Sequence, residues 1–230
     1  MDIIDRQLAS LIHLVDDLLD LHRIGQGKVK LQTAIVDMRD VVTQAVELGK
    51  PLLTAKEHEF TAALPDEPIW VTGDRVRLSQ VVGNLLSNAA KYTPSRGRIE
   101  LALERSATHA QVVVVDNGIG IAPDMLPRIF EPYRQAHTHD RSSGGLGLGL
   151  TVCRKLIEMH GARVHAQSDG LGRGAQFVAT LPLAVGAEAP VEEPAGAPPA
   201  RGEPMHVLVV DDNVDAAEAL ARLLEICGHD

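Results

Sequence analysis

A proline-rich stretch of twenty residues limits where this chain can build a hydrophobic core. Residues Val185 to Pro204 include five prolines, five alanines, three glycines and four glutamates, and show neither a helical nor a strand period. Prolines favour extended polyproline geometry and glutamates repel one another, so we predict a solvated linker here. The linker (185–204) separates one domain (29–184) from a C-terminal piece (205–230). An N-terminal piece (1–28) precedes the domain.

Composition narrows the class of protein. The chain has 230 residues, of which 45% are hydrophobic and 23% are charged, and this excludes a wholly disordered protein. No apolar run approaches the ~18 residues that cross a bilayer, and the N-terminus lacks the basic region of a secretory signal, so we predict a cytoplasmic location. The formal net charge of −9 disfavours binding to the negatively charged phosphate backbone of nucleic acids. We therefore predict no nucleic-acid partner.

The domain mixes helical and strand-like segments without a regular βαβ alternation. Helical patterns lie at Asp37 to Leu53, Asp74 to Ala90, Gly147 to His160 and, more briefly, Pro123 to Phe130. Strand-like runs lie at Glu57 to Ala63, Ile69 to Val71, Arg98 to Glu104, Gln111 to Asp116, Arg163 to Ser168 and Ala175 to Leu181, the last two as a hairpin. This order predicts an α+β fold, a two-layer sandwich with helices on one face of a mixed sheet.

The N-terminal piece carries the spacing of a seam between helices. Apolar residues recur at steps of four and three residues, as in a coiled coil, at Ile4, Leu8, Leu11, Val15 and Leu18. The residues predicted to face solvent are Asp5, Arg6, Asp16, Asp17 and Asp20. Such a helix needs a partner, because most of its stability comes from burying the apolar face. The alternative is an ordinary core helix of the following domain.

Four segments of the domain carry residues that suit a nucleotide. In the first, Asn84, Asn88 and Lys91 share one face of the helix that opens near Asp74. Amide oxygens suit a hard cation such as Mg²⁺, and a lysine one turn further suits the phosphates that accompany such a cation. A solvated polar face is the alternative.

The second segment is a β-branched strand that ends in a carboxylate. Val112 to Val115 form a continuous apolar run, which predicts a buried strand, and Asp116 then precedes Gly118 and Gly120. An ionised carboxylate only accepts hydrogen bonds, so Asp116 suits the amino group of a base, beside backbone that glycine allows to turn tightly. An ordinary strand exit is the alternative.

The third segment is rich in glycine and leads directly into a helix. Gly144, Gly145, Gly147 and Gly149 precede Thr151. Glycine permits close approach to the backbone, and the free N–H groups at a helix N-terminus bind polyphosphate. The spacing is neither the dinucleotide fingerprint nor a Walker A loop, so both of those fold classes are set aside.

The fourth segment, Arg128 to Gln135, is followed by a polar stretch. Pro132 is predicted to end a short helix, and residues 136–144 are predicted to form a mobile cover over a ligand. His137 and His139 lie in that stretch, but two histidines at i and i+2 in a loop are usually only polar, so we predict no zinc site.

In this order and spacing the four segments resemble the nucleotide-binding domain of two-component sensor histidine kinases. Their superfamily includes type II topoisomerase subunits, mismatch-repair and Hsp90-type ATPases, and the resemblance implies a Bergerat-type ATP-binding fold over about residues 29–183. It implies that Asn88 and Asn84 hold Mg²⁺. The full set of implied ATP-binding residues is Asn84, Asn88, Lys91, Tyr92, Asp116, Gly118, Gly120, Ile121, Phe130, Tyr133, Arg134, Gly144, Gly145, Leu146, Gly147, Leu148, Gly149 and Thr151.

Within that set the resemblance implies particular roles. Lys91 meets phosphate, Tyr92 lies over the adenine, and Asp116 accepts from the adenine amino group. The glycines at 118 and 120 clear room for the base, those at 145, 147 and 149 cradle the phosphates, and the aromatic residues at 130 and 133 anchor the cover. Asn84 is the candidate for a catalytic role, because hydrolases of the superfamily have a glutamate general base there. Asparagine cannot take a proton from water, so ATP hydrolysis should be slow.

The flanking pieces are similar to other parts of the same kinases. Residues 2–24 look like the second helix of the dimerisation and phosphotransfer hairpin, and no histidine here stands in the context of the phosphorylated one, which the first helix carries. Residues 205–230 look like the opening of a receiver domain, with its first strand at Val207 to Val210, a helix through Leu224, and Asp211 and Asp212 as its Mg²⁺-binding acids. For this acidic pair, a strand-capping turn is the alternative. The resemblance thus implies a homodimeric hybrid kinase, whose full-length form is either soluble or membrane-anchored.

The implied activity is transfer of the γ-phosphoryl group of ATP to a histidine of a phosphorelay. The implied partners are ATP, the histidine-bearing helix and a receiver domain or response regulator. This chain is expected to bind ATP with Mg²⁺ but not to phosphorylate itself. Two other classes stay open: a non-catalytic, nucleotide-responsive interaction module, and a superfamily ATPase or serine kinase.

Overall fold

The computed structural model describes residues 15, 18–26, 30–134, 146–184, 205–210, 214–226 and 228. The chain divides into two compact units, Met1–Ala187 and Glu188–Asp230. After a helical segment at residues 18–25, the first unit contains β1 (Ala34–Asp37), α1 (Met38–Ala55), β2 (Glu59–Ala63), β3 (Trp70–Gly73), α2 (Arg75–Tyr92), β4 (Arg98–Arg105), β5 (His109–Asp116), a 3₁₀ turn (Leu126–Arg128), α3 (Gly149–Met159), β6 (Arg163–Gln167) and β7 (Ala175–Pro182). The second unit contains α4 (Val214–Ile226). Within these described residues, no helix is long and apolar enough to span a bilayer.

Five strands form the main sheet, in the order β2-β4-β5-β7-β6. β2 runs parallel to β4, and the other neighbours are antiparallel. The register places Val114 of β5 opposite Leu101 on one side and Phe177 on the other. β6 and β7 form the predicted hairpin, and the predicted α+β fold with a mixed sheet is confirmed.

The helices pack on one face of this sheet. In β5 the alternate residues Ala110, Val112 and Val114 are fully buried, whereas Val113 and Val115 between them are only partly buried. The buried faces of α1, α2 and α3 join the buried residues of β5 in one core. The predicted buried strand at Val112 to Val115 is therefore buried fully on the face that meets the helices and partly on the other, because successive side chains point to opposite faces.

A small second sheet, missed by the sequence analysis, pairs β1 with β3 in antiparallel fashion. Each strand has only four residues, too few for a clear period of two. Asp37, the last residue of β1, caps α1 by accepting from the Arg39 N–H at 3.0 Å, and it pairs with the Arg39 guanidinium at 2.7 Å. Burial acts to raise the pKa of Asp37, but hydrogen bonds from Arg39 and Ile69 outweigh it and lower that pKa.

The short helix predicted at Pro123 to Phe130 is also different in the structure. Only a single 3₁₀ turn, Leu126–Arg128, is present there. Pro127 lies inside this turn, and a proline has no N–H with which to continue an α-helix. The other helices and strands predicted between residues 37 and 182 agree with the structure to within a few residues.

Asp20, predicted to face solvent, is only 7% exposed. Its carboxylate accepts from the Arg77 guanidinium at 3.1 Å and from the Gln80 amide at 2.7 Å, and both partners lie on α2. The prediction was wrong because the two donors, which replace water around the charge, come from a helix nearly sixty residues further along the chain.

The N-terminal helical segment uses a different face from the predicted seam. Val15 and Leu18 are 48% and 46% exposed, whereas Leu21 and Ile24 pack against the core. The described part of this segment packs one face against the following domain and leaves the predicted seam face exposed, so the partner of that seam stays a prediction. The remaining seam residues lie outside the described residues: Ile4, Leu8 and Leu11.

The second unit is described at residues 205–210, 214–226 and 228. α4 lies in the region predicted as helix, but residues 207–210, predicted to be the first strand of a receiver domain, are not a strand. Leu208 and Val210 are 87% and 83% exposed. A β-branched run forms a strand only when a neighbouring strand pairs with it, and none is described in this unit. The predicted linker 185–204 and the acids Asp211 and Asp212 lie outside the described residues.

Candidate functional site

Two asparagines on α2 face the beginning of α3. Asn84 Nδ2 donates to the carbonyl oxygen of Gly149 at 3.2 Å, and Asn88 Nδ2 donates to the carbonyl oxygen of Asn84 at 2.9 Å. Both side chains are half-buried. Because each amide nitrogen is engaged as a donor, the amide oxygen is the atom offered to a ligand, and such oxygens suit a hard cation. The first and third sequence segments are thus in contact.

Lys91 and Tyr92 complete the last turn of α2. The Lys91 ammonium lies 5.1 Å from the centre of the Tyr92 ring, within the range of a cation–π contact. Burial lowers the pKa of Lys91 and raises the pKa of Tyr92. None of the ion pairs among the described residues involves Lys91. This half-buried cation therefore suits an anionic ligand such as phosphate.

Asp116, the last residue of β5, is only 6% exposed. Its Oδ1 accepts from the Gly118 N–H at 2.9 Å, and the Ala175 N–H also donates to the carboxylate. Burial raises the pKa of Asp116 because it disfavours the charged form, and the two N–H donors reduce that rise. A carboxylate has about four acceptor positions, so this one can accept further hydrogen bonds from a ligand.

Glycines let the loop after Asp116 pack against two neighbouring segments. A Cβ at Gly118 would overlap the carbonyl oxygen of Tyr92 and lie 2.8 Å from Asp116 Oδ1. Gly120 has a φ of 70°, and a Cβ there would overlap the carbonyl oxygen of Gly170. The resemblance implied that these glycines clear room for a base; in the structure, neighbouring backbone already requires both of them.

The loop at residues 168–174 supports the same site and was missed by the sequence analysis. Ser168 Oγ accepts from the Ile121 N–H at 3.0 Å and donates to the Gly174 carbonyl oxygen at 2.6 Å. A Cβ at Gly174 would overlap the main-chain oxygen of Asp116. Glycines at alternate positions 170, 172 and 174 were the sequence signal that this loop approaches other backbone closely.

Two hydrogen bonds fix the loop after Asp116, one to the end of α2 and one to the start of β4. The Ile119 N–H donates to the Tyr92 carbonyl oxygen at 3.1 Å. The Arg98 N–H, at the start of β4, donates to Asn117 Oδ1 at 2.8 Å. The first and second sequence segments are therefore in contact through main-chain atoms.

The glycine-rich segment enters α3 without a side-chain cap. Leu148 occupies the N-cap position and makes no capping hydrogen bond. Gly147 has a φ of 70°, and a Cβ there would lie 2.6 Å from the Arg134 carbonyl oxygen. Thr151, in the first turn, is 4% exposed, and its hydroxyl has no partner within the part of the chain that the structure describes. Uncapped N–H groups at the positive end of a helix dipole attract anions.

The other predicted ligand residues differ in how deeply they are buried. Phe130 packs against the core, as an anchor would. Tyr133 is 65% exposed, and its role as an anchor stays a prediction. Its φ of 61° lies in the left-handed region, which is uncommon for residues other than glycine and is found mainly in turns. Ile121 is buried in the core, at 7% exposure, and its contact with a ligand stays a prediction.

The predicted cover, residues 136–144, lies outside the described residues, and Arg134 and Leu146 are the nearest described residues on either side. Arg134 Nε donates to Glu131 Oε2 at 3.0 Å, so its guanidinium already has a carboxylate partner. Leu146 is 43% exposed. Gly144 and Gly145 lie outside the described residues, as do His137 and His139.

The assembled site offers positioned charge and hydrogen bonds rather than a nucleophile. Cys153 is the free cysteine among the described residues, and complete burial raises its pKa to about 12, so it stays an inert thiol. No group of three or more His, Cys, Asp or Glu side chains in the described ranges could hold a metal. A divalent cation at this site would therefore depend on amide oxygens and on the ligand's own oxygens.

Residues 73–185 match the protein family described as Histidine kinase-, DNA gyrase B-, and HSP90-like ATPase. Over 180 residues the chain is 36% identical to the alginate biosynthesis sensor protein KinB of Pseudomonas aeruginosa, an alignment that covers 78% of this chain and 30% of KinB. Over 189 residues it is 33% identical to hybrid signal transduction histidine kinase D of Dictyostelium discoideum, covering 80% of this chain and 12% of that protein. The chain thus spans less than a third of the length of these relatives.

Among solved structures, full-length ShkA in complex with AMPPNP aligns with a TM-score of 0.67 and 31% sequence identity, covering 95% of this chain and 44% of ShkA. The matched family span, 73–185, contains all four sequence segments. Residues 73–185 are therefore a domain of the histidine kinase-, DNA gyrase B- and HSP90-like ATPase family, and the relatives of this chain are sensor histidine kinases, hybrid kinases among them.

Proposed function

We propose that this chain is the ATP-binding part of a hybrid sensor histidine kinase and that its site holds ATP for phosphoryl transfer to a histidine. The observation that carries the proposal is the joining of α2 to both neighbouring segments. The Asn84 contact with Gly149 sets amide oxygens beside an uncapped helix N-terminus. At the other end of α2, the Ile119 N–H donates to the Tyr92 main-chain oxygen, so the loop that follows the buried Asp116 carboxylate contacts the last turn of the helix.

The donor set on α2 fits Mg²⁺. The Asn84 and Asn88 amide nitrogens are both engaged by main-chain oxygens, which leaves amide oxygens for the ion. A magnesium ion bound there would neutralise charge on the phosphates of ATP. Neither asparagine can act as a general base, so we expect little hydrolysis of ATP by water.

The remaining roles follow from charge and hydrogen-bonding capacity. Lys91, a half-buried cation without an ion-pair partner among the described residues, would contact phosphate. Asp116 would accept from the amino group of adenine, and the unpartnered Thr151 hydroxyl would bind beside the first turn of α3. Phosphoryl transfer needs positioning and charge neutralisation more than a protein nucleophile, and that is what these side chains supply.

The flanking pieces complete the proposal. Residues 1–28 would be the second helix of a dimerisation hairpin, and residues 205–230, which include α4, would be the beginning of a receiver domain whose acids are Asp211 and Asp212. The partners would be the histidine-bearing first helix, a second copy of the kinase and a receiver or response regulator. A domain that consumes ATP would act in the cytoplasm.

Isothermal titration with ATP and Mg²⁺ tests the binding site. We expect Asp116→Ala to weaken ATP binding at least about tenfold, because a buried hydrogen bond to a base contributes roughly 1–3 kcal/mol. Asp124→Ala is the matched control, since Asp124 is an exposed carboxylate outside the site, and its affinity should equal that of the unchanged chain. Equal affinity in Asp116→Ala would contradict the assignment of the adenine site.

Labelling with γ-³²P ATP tests the reaction. The chain alone should acquire no stable label. Addition of a hairpin fragment that carries the histidine helix of a sensor kinase should produce acid-labile phosphohistidine on that fragment. Stable label on the chain itself, acid-stable phosphoserine, or rapid release of free phosphate would each contradict the proposed activity.

A further inference from the structure

Lys56, just beyond the end of α1, places its ammonium at the C-terminal end of α2. Nζ donates to the carbonyl oxygens of Ala90 and Lys91 at 2.8 Å each, and to that of Thr93 at 3.2 Å. The last carbonyls of a helix have no partner within the helix and carry the negative end of its dipole. One cation from outside the helix therefore satisfies three carbonyls at its end.

The other carbonyls of this turn have main-chain partners. The Thr93 N–H donates to the Ala89 oxygen at 3.0 Å, and the Ile119 N–H donates to the Tyr92 oxygen at 3.1 Å. Thr93, in the C-cap position, has an extended conformation rather than the left-handed one that commonly ends helices. The turn thus ends without the usual glycine cap, and Lys56 takes its place.

The turn that Lys56 holds is the one that presents ligand-facing side chains. Lys91 and Tyr92 lie in it, and the Tyr92 carbonyl oxygen holds Ile119, which follows Asp116 by three residues. A shift of this turn would move the cation, the ring and the carboxylate loop together. Lys56 itself is half-buried, and burial together with the nearby Lys91 charge lowers its pKa.

We propose that Lys56 is a positioning residue of the nucleotide site: its ammonium fixes the last turn of α2 so that Lys91, Tyr92 and Asp116 face one ligand. This inference rests on the proposed nucleotide-binding function. Lys56 donates to main-chain oxygens, so its role would be to hold this turn in place. Two rival explanations exist for any effect of its loss, namely a general loss of stability and a weaker positive potential around a polyanion.

The experiment compares Lys56→Met with Lys50→Met in the full chain. Lys50 lies on α1 with an exposed side chain, so its substitution removes the same charge without the carbonyl contacts. Titrations use ATP with Mg²⁺ and, separately, adenosine, which carries no charge. We expect Lys56→Met to weaken the binding of both by about tenfold, and Lys50→Met to change neither by more than twofold. Weakening for ATP alone would assign the effect to charge and overturn the positioning role.

Amide hydrogen exchange by NMR separates positioning from general stability. In Lys56→Met we expect the Ile119 and Thr93 amides to exchange at least about tenfold faster, while amides of the β5–β7 ladder keep their rates. A uniform increase across the sheet would overturn the proposal in favour of a merely stabilising contact. Lys56→Arg, which keeps a charged donor, should restore most of the protection and most of the adenosine affinity.

A replacement variant and the binding of the unchanged chain distinguish the possible negative results. If Lys56→Met does not fold, Lys56→Gln replaces it; its amide retains two donors but no charge, so we expect losses in the same direction but smaller. If the unchanged chain binds neither ATP nor adenosine, the proposed function fails. If the unchanged chain binds both, and Lys56→Met binds both equally well with unaltered Ile119 exchange, the positioning role alone fails.

Discussion

The two ends of α2 are held by different chemistry. At its beginning, side-chain oxygens accept: the Asp74 carboxylate accepts from the N–H groups of Val76 and Arg77 at 3.1 Å each. At its end, main-chain carbonyls accept, from the Lys56 ammonium and from the Ile119 N–H. The beginning adjoins the N-terminal helical segment, whereas the end carries the residues that we assign to the nucleotide.

The two ends of α2 are therefore expected to contribute differently to protein stability and to ligand binding. A side-chain cap contributes stability locally and can be replaced by another capping residue. A main-chain contact fixes the position of everything that the turn presents, whatever the side chains are. We therefore expect changes at the beginning of α2 to alter the free energy of unfolding alone, and changes at its end to alter nucleotide affinity as well.

Gly118→Ala should produce the largest effect, at the end of α2. Its Cβ would overlap the Tyr92 carbonyl oxygen, so main chain must move, and we expect the free energy of unfolding to fall by about 3 kcal/mol with loss of measurable ATP binding. Gly83→Ala, within α2, meets nothing within 4 Å and should raise that free energy by roughly 0.5–1 kcal/mol. Chemical denaturation measures both; equal effects would contradict the steric explanation.

The sequence alone predicted the parts of this site that depend on local pattern. The polar face of α2 follows from residues three and four apart, so the spacing of Asn84 and Asn88 was enough to place them together. Asp116 was identified because a β-branched run ends there. The mixed sheet with helices on one face also followed, because the order of helical and strand-like segments admits few arrangements.

Contacts between distant residues could not be predicted in this way. Lys56 lies in a turn with no motif, and its role exists only because α1 and α2 pack side by side. Ser168 and Asp20 likewise acquire their partners from segments more than forty residues away. The run Val207 to Val210 shows the opposite error: its composition favours a strand, but strand formation requires a neighbour.

Asp74→Ala should produce an intermediate effect, at the beginning of α2. The carboxylate caps two N–H groups of the helix and also accepts from the Gln32 N–H at 2.9 Å, so we expect the free energy of unfolding to fall by about 1–2 kcal/mol. ATP affinity should stay within twofold of the unchanged chain. A tenfold loss of affinity would mean that the two ends of α2 are not separable.

The same residue gives a test by pH. Burial acts to raise the pKa of Asp74, but N–H donors from Gln32, Arg77 and Val76 lower it overall. A lowered pKa in the folded state stabilises the protein above the unfolded value near 3.9, and this contribution is lost as pH falls through the folded value. The stability difference between the unchanged chain and Asp74→Ala should therefore shrink below about pH 4. Asp74→Asn, which caps without charge, should lack this change.

The smallest effect is expected where α2 meets the N-terminal segment, through the pair Asp20 and Arg77. A double-mutant cycle of Asp20→Ala and Arg77→Ala should give a coupling free energy of about 1 kcal/mol, since the pair is mostly buried, with side chains 10% and 26% exposed. The matched pair Glu57 and Arg96 is also in direct contact, at 2.8 Å, but 68% and 81% exposed, and its coupling should not exceed about 0.5 kcal/mol. Because Arg77 lies at the beginning of α2, neither single variant should change the affinity for ATP. Loss of affinity in Arg77→Ala would show that the N-terminal segment influences the nucleotide site through α2. The two ends of that helix would then be coupled, and would not have separate roles.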